Sequence, residues 1–159
     1  LDYLWPGGDD NNTVATFKYQ TLKMALMHDF DEAILRRDIT HELKYNAYNG
    51  LELRNVLDEF VAHQVMTEFG DDSVIAKTLS KDAPYYDVAH AIVKVADWMA
   101  LLYFLHREVG MGNRSWPLDL LPYCKDSYRR AVSTLQSTCV SADICEQERL
   151  EPLMTYKTI

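Results

Sequence analysis

Cysteine is scarce in this sequence. Its 3 copies among 159 residues, Cys124, Cys139 and Cys145, lie near the C-terminus at spacings that match no zinc template. An odd count with no signal peptide reads as reduced thiols, and so as a cytoplasmic protein. Basic residues are also in deficit: 16 Lys and Arg against 24 Asp and Glu leave a formal net charge of -8. That balance argues against extended nucleic acid or an anionic membrane as partner. It leaves room for a small phosphorylated ligand, because a bound metal supplies positive charge locally.

No alternating strand pattern, internal repeat or low-complexity tract is present. No apolar run is long enough and free enough of charge to span a bilayer. The most hydrophobic stretch, 88 to 105, is interrupted by His90, Lys94 and Asp97 and reads as a buried helix. What remains is one all-α domain over residues 1–159, long enough to bury a core. The chain begins at Leu1 in mid-stride, and N-terminal residues are expected to precede it.

Several helices are legible. Pro6 to Asn12 is a loop, with Asn12 or Thr13 as N-cap. Phe17, Leu22, Ala25 and Leu26 recur at helical spacing, so a helix runs from Val14 to about His28. Asp31 to Arg37 reads as a short turn of helix, and His41 to Tyr48 is mixed, ending at the turn Asn49-Gly50. Leu53, Val56, Leu57, Phe60, Val61 and Val65 mark an amphipathic helix that stops near Gly70. A short helix is expected over Ser73 to Leu79 and a long central one over Tyr85 to Val109, ended by Gly110-Met111-Gly112. Ser115 restarts a helix, Pro122 is expected to limit it, and the last long helix runs from Tyr123 to about Val140.

Chemistry concentrates in two clusters. In Met27-His28-Asp29-Phe30-Asp31-Glu32, adjacent His and Asp close an apolar helix, and Glu32 lies four residues after His28 on the same face. Imidazole nitrogen with carboxylate oxygen suits Zn, Mn, Fe, Co or Ni. A neighbouring carboxylate is the kind of group that handles protons for an attacking water. Alone, the pair suits a helix cap equally well. In the second cluster, Asp97 shares its stripe with Val93, Ala100, Leu101 and Phe104, so it is expected to point into apolar surroundings. There a carboxylate needs a cation, a strong donor or a metal. An ion pair with Arg or Lys satisfies that need as well as a metal does, until His28-Asp29 is set beside it.

The other histidines have ordinary readings. His90 is two turns before Asp97 and reads as a buried, hydrogen-bonded ring or as a neighbour of the site. His63 and His106 read as structural or surface residues, and His41 as a possible substrate contact. Trp5, Tyr45, Tyr48 and Trp98 suit either the core or stacking on a base.

Residues 24–33, followed by Asp38-Ile39 and Lys44-Tyr45, resemble the HD motif and following segment of HD-domain metal-dependent phosphohydrolases. The nearest likeness is to the 5′-deoxynucleotidase-like branch, which includes phage deoxynucleoside triphosphohydrolases. Val93 to Asp97, then Phe104-Leu105 and Gly110 to Asn113, is similar to that family's last-ligand helix and the turn after it. The likeness covers about residues 14 to 113. It implies a compact multi-helix HD-domain bundle and a divalent metal (Zn, Mn, Co, Fe or Mg) held by His28, Asp29 and Asp97. It further implies catalytic carboxylates at Glu32 and Asp38, and Lys44 near the phosphate. Because the protein is acidic overall, attraction for a charged substrate is expected from the metal and from local basic side chains such as Arg36, Arg37 and Lys44.

The implied reaction is hydrolysis of a small nucleotide, a deoxynucleotide in the sharper form, by a cytoplasmic homo-oligomer. The alternatives are a nucleotide-binding or regulatory HD protein without turnover, and a helical interaction domain. The sequence departs from the family pattern in three places. Arg37 stands where Gly is usual, with one extra residue between Glu32 and Asp38, and Thr40 replaces a frequent Pro. No His precedes His28, so the family's first ligand is expected upstream of Leu1.

Overall fold

The computed structural model describes residues 11–35 and 50–142, and the expectations for Trp5, Arg36, Arg37, Asp38, His41, Lys44, Tyr45, Tyr48 and Cys145 lie outside them. The described residues are all-α, with no strand among them. In chain order the helices are α1 (Asn11–Met27), α2 (Phe30–Leu35), α3 (Gly50–Phe69), α4 (Val74–Leu79), α5 (Tyr86–Gly110) and α6 (Ser115–Ser141).

α5 is the central element, and its residue types explain why. Val88, Ala91, Val95, Leu102 and Leu105 form one buried face, packed with Leu121, Cys124, Tyr128, Val132, Leu135 and Cys139 of α6 and with Phe17 of α1. Ala89 and Val93 form a second buried face against Met24 of α1. By length and composition α5 would also suffice to cross a membrane, contrary to the sequence expectation that no run qualifies. A core helix meets the same criteria, and α5 is packed here as one.

α5 and α6 are antiparallel. The turn between them is closed by Gly112 at φ 92, where glycine avoids the Cβ clash, and by a hydrogen bond from the Asn113 N–H to the Glu108 carbonyl. Ring pairs record the same direction: Phe104 meets Trp116 near the turn, and Trp98 meets Tyr123 farther from it.

Pro122 does not limit a helix as expected; α6 runs through it from Ser115 to Ser141. An interior proline costs about 3 kcal/mol, through one lost hydrogen bond and a ring clash. Burying a single large apolar side chain returns roughly 1.5–3 kcal/mol. The stripe Leu121, Cys124, Tyr128, Val132, Leu135 and Cys139 is buried on both sides of the proline, so packing outweighs the local penalty.

α1 buries a different face from the one its most apolar residues mark. Phe17, Gln20, Thr21 and Met24 are buried, whereas Leu22 is exposed and Leu26 is 85% exposed. Gln20 and Thr21 lie inside because their polar atoms have partners. Gln20 Nε2 donates to the Thr78 carbonyl of α4, and Thr21 Oγ1 donates to the Phe17 carbonyl one turn back. The expected face of α3 is likewise only partly used: Val65 is buried and Val61 half-buried, but Val56 and Phe60 are exposed. Ser73 caps α4, its hydroxyl accepting from the Ala76 N–H at 3.1 Å.

Three contacts fix α1 against α5. Phe17 packs edge-on against Tyr85, Met24 against Ala89 and Val93, and His28 reaches Asp97. Both residue numbers rise together along the contact, so the two helices run in the same direction. The next turn after Met24 on α1 thereby meets the next turn after Val93 on α5. Tyr85, at φ 60, is the one non-glycine with positive φ among the described residues. The strain of roughly 1–2 kcal/mol at that position is held by its ring packing on Phe17.

Candidate functional site

His28 follows the end of α1 and performs two jobs with its two ring nitrogens. Nδ1 lies 2.7 Å from the Ala25 carbonyl, one of the oxygens that a helix C-terminus leaves without an intrahelical partner. A carbonyl only accepts, so Nδ1 carries the proton and the tautomer is fixed. Nε2 is then directed at two carboxylates, with Asp29 Oδ2 at 3.0 Å and Asp97 Oδ1 at 3.2 Å. A nitrogen lone pair facing two carboxylate oxygens is repulsive. A proton or a metal ion between Nε2 and the carboxylates would relieve that repulsion.

The local chain supports this arrangement. Residues 28–29 form a turn between α1 and α2, closed by hydrogen bonds from the Glu32 and Ala33 N–H groups to the Asp29 carbonyl. Asp97 Oδ2 is 3.6 Å from Lys94 Nζ, one turn back on α5. The Asp97 carboxylate thus bridges the imidazole of one helix and the ammonium of another.

Two expectations need correcting. The Asp97 side chain is 35% exposed rather than enclosed by apolar groups, because Ala100, Leu101 and Phe104 on its stripe face outward. His90 is exposed rather than buried, and its ring stacks nearly parallel on Tyr86 at 5.9 Å. His63 is exposed and bonds Thr67, in line with the surface reading. His106 is half-buried, with an enclosed Nε2 that has no hydrogen-bond partner among the described residues.

Beside the His28 cluster lies a cleft of about 570 Å³. Glu32 contributes from α2, His90, Lys94, Asp97, Trp98 and Leu101 from α5, and Ser127, Arg130 and Thr134 from α6. The structure therefore brings together four of the six sequence-predicted residues: His28, Asp29 and Asp97 in contact, and Glu32 with Asp97 on the wall of one cleft. Asp38 and Lys44 lie outside the described residues.

Sequence reasoning offered an Arg or Lys partner for Asp97 without naming Lys94, and it missed the whole α6 wall. The signal for that wall is the spacing of Ser127, Arg130, Ala131 and Thr134, which puts small and polar groups on one stripe beside the buried one. Nothing in a single sequence says that this stripe faces Lys94 and Asp97.

The donor types at the cluster, one imidazole nitrogen and two carboxylates, are of the kind that first-row divalent metals accept. Ligands about 2.0–2.2 Å from a common ion stand roughly 3 Å apart when adjacent, which is the scale of the two contacts at Nε2. As they stand, the three side chains contact one another directly at Nε2. Among the described residues, no group of three or more His, Cys, Asp or Glu is arranged so that it could hold a metal ion.

Cys124 and Cys139 are buried in the core as free thiols, and burial raises the Cys124 pKa above its ordinary value. Both belong to α6, 15 residues apart in number, so at a rise of about 1.5 Å per residue they are too distant to bridge. No family model, curated protein or solved structure matches the chain.

Proposed function

We propose that this protein is a metal-dependent phosphohydrolase of the HD type, acting on a small nucleotide. The observation that carries the reading is the meeting of His28 with Asp97. The two belong to separate motifs far apart in the sequence, yet Asp97 Oδ1 stands 3.2 Å from His28 Nε2, with Asp29 on the same nitrogen. The contact supports the reading because the resemblance assigns both motifs to one site.

His28, Asp29 and Asp97 would hold the ion, with the Ala25 carbonyl fixing the imidazole so that Nε2 is the donor. A divalent metal bound there supplies Lewis acidity toward a phosphoryl oxygen and lowers the pKa of a water toward ~7. Glu32, on the cleft wall, takes a proton from the attacking water and returns it to the leaving oxygen. Lys94 holds Asp97 in place and brings positive charge to a site whose protein is acidic overall. Asp38 and Lys44 complete the set that the resemblance implies, as a second proton-handling acid and a phosphate contact. A deoxynucleotide is the sharper form of the substrate proposal, with cleavage at the 5′ phosphate ester.

A second reading is favoured by one observation: His28, Asp29 and Asp97 already contact one another, and no group of three among the described residues could hold a metal ion as it stands. On that reading the protein binds a nucleotide without turning it over. The deciding experiment is a nucleotide panel with Mn, Co, Zn or Mg, scoring phosphate, pyrophosphate and triphosphate separately. Release of any of the three, abolished by chelator, is expected. No release with any metal, alongside measurable nucleotide binding, would select the second reading.

A further inference from the structure

The cleft wall formed by α6 contains a cation with no carboxylate partner among the described residues. Arg129 and Arg130 are sequence neighbours with different surroundings. Arg129 Nη1 is 3.0 Å from the Asp126 carboxylate, an exposed ion pair one turn back. Arg130 points one position around the helix, onto the cleft, and its Nη2 donates to the Ser127 hydroxyl at 2.9 Å. Ser127 is only 5% exposed, so the hydroxyl that holds the guanidinium is itself fixed by packing. A hydroxyl orients the guanidinium without neutralising it. Among the described residues, no carboxylate lies within ion-pair distance of Arg130.

We infer that Arg130 is the phosphate anchor of the cleft, gripping the phosphate of the bound ligand from α6 while the His28 cluster engages it from α1 and α5. This rests on reading the cleft as a nucleotide phosphohydrolase site and names a residue that the HD resemblance does not. Three physical points support it. Lys94 already serves Asp97 at 3.6 Å, so its charge is partly offset. Glu32 and Asp97 on the same cleft repel a phosphate dianion and require a counterweight. A guanidinium offers five donors in a planar fork that matches two phosphate oxygens at once, and only one of its nitrogens is used by Ser127. The bond to Ser127 pre-orients the fork, so little side-chain freedom remains to be lost on binding.

The test titrates inorganic phosphate into the full chain by calorimetry, once in EDTA and once with Mn, for wild type, Arg130→Gln, Arg130→Lys and Arg129→Gln. Losing a charge-assisted hydrogen bond weakens binding by about 10- to 100-fold. Arg130→Gln should therefore weaken phosphate by that factor in both buffers, Arg130→Lys by less, and Arg129→Gln not at all. Metal content after dialysis should be the same in all four proteins. Equal phosphate affinity in wild type and Arg130→Gln would overturn the assignment, as would a wild type that binds no phosphate in either buffer. If Arg130→Gln does not fold, as judged by circular dichroism, Arg130→Lys decides, because it keeps the charge and loses the fork. The EDTA arm separates this inference from the catalytic one. A chain with no turnover that still binds phosphate through Arg130 keeps the anchor and loses the phosphohydrolase.

Discussion

At the scale of single residues, Asp97 and Glu32 separate two roles that a loss of activity alone would confuse. Asp97→Ala is expected to remove metal and turnover together. Glu32→Ala should lower turnover by roughly 10²–10⁴-fold, the usual weight of general acid–base catalysis, with metal content near wild type. Metal analysis after dialysis, paired with steady-state rates, checks both. Neither change should unfold the protein, and magnitudes say why. The His28–Asp97 pair is about a third exposed, and partly solvated ion pairs contribute roughly 0.2–1 kcal/mol, small against a domain stability of about 5–15 kcal/mol. An Asp97→Ala protein with stoichiometric metal and ordinary turnover would contradict the site. His28 and Asp29 were legible in the sequence because they are adjacent and close an apolar helix. Asp97 was singled out by its place on an apolar stripe and given a ligand's role by the family resemblance. On its own helix it is one acid among apolar residues, and the argument that placed it in an apolar pocket was mistaken about its exposure. The placement of Arg130 on the cleft was not legible, since it depends on which helix packs opposite α6.

Helix ends and helix faces differed in how much the sequence revealed. The ends were marked by local chemistry: Ser73 before α4, Gly70 after α3, and Gly112 after α5. Faces depend on what packs opposite, and α1 shows the consequence. Leu22 and Leu26 look like core residues in a list of apolar positions, yet Gln20 and Thr21 occupy the interior because α4 and the helix backbone satisfy their polar atoms. The two arrangements predict opposite results. Met24→Ala should cost about 2–5 kcal/mol, since the side chain is 2% exposed. Leu26→Ala should stay within about 0.5 kcal/mol. Urea unfolding of both variants decides, and a larger loss for Leu26→Ala would restore the sequence-based face. Pro122 gives a second check on α6. It is exposed, so Pro122→Ala removes the backbone penalty and little packing. The expected gain is roughly 1–3 kcal/mol, read as a rise in the urea midpoint at unchanged slope. An unchanged or lower midpoint would mean that the helix does not run through this position as an ordinary α-helix.

For the molecule as a whole, the all-α class followed from the lack of alternating patterns, and the helices that hold the site follow from that class. The choice of substrate does not. Composition says only that the protein is acidic, so attraction for a phosphorylated ligand must be local, from a metal and the cations of the cleft. Sugar preference has even less basis in composition and rests on the likeness to the deoxynucleotidase-like branch. The cleft nevertheless limits how strong that preference can be. Its wall includes Ala91, Leu101 and Ala131, and an apolar wall discriminates weakly against a ligand that merely adds a hydroxyl, by about 10²-fold at most. Strong exclusion of a ribose 2′-hydroxyl would need a steric block or a buried polar group left unpaired. Ribonucleotides are therefore expected to be poor substrates with measurable rates, at kcat/KM values roughly 10- to 100-fold below the matched deoxynucleotides. Steady-state rates on matched pairs sharing one base would measure the ratio. Equal or higher activity on the ribo series would overturn the sugar proposal and leave the proposal of a metal at His28, Asp29 and Asp97 untouched. Cleavage restricted to cyclic or hyperphosphorylated nucleotides would keep the proposed roles of His28, Asp29 and Asp97 but replace the deoxynucleotidase-like proposal with one for a different branch of the HD superfamily.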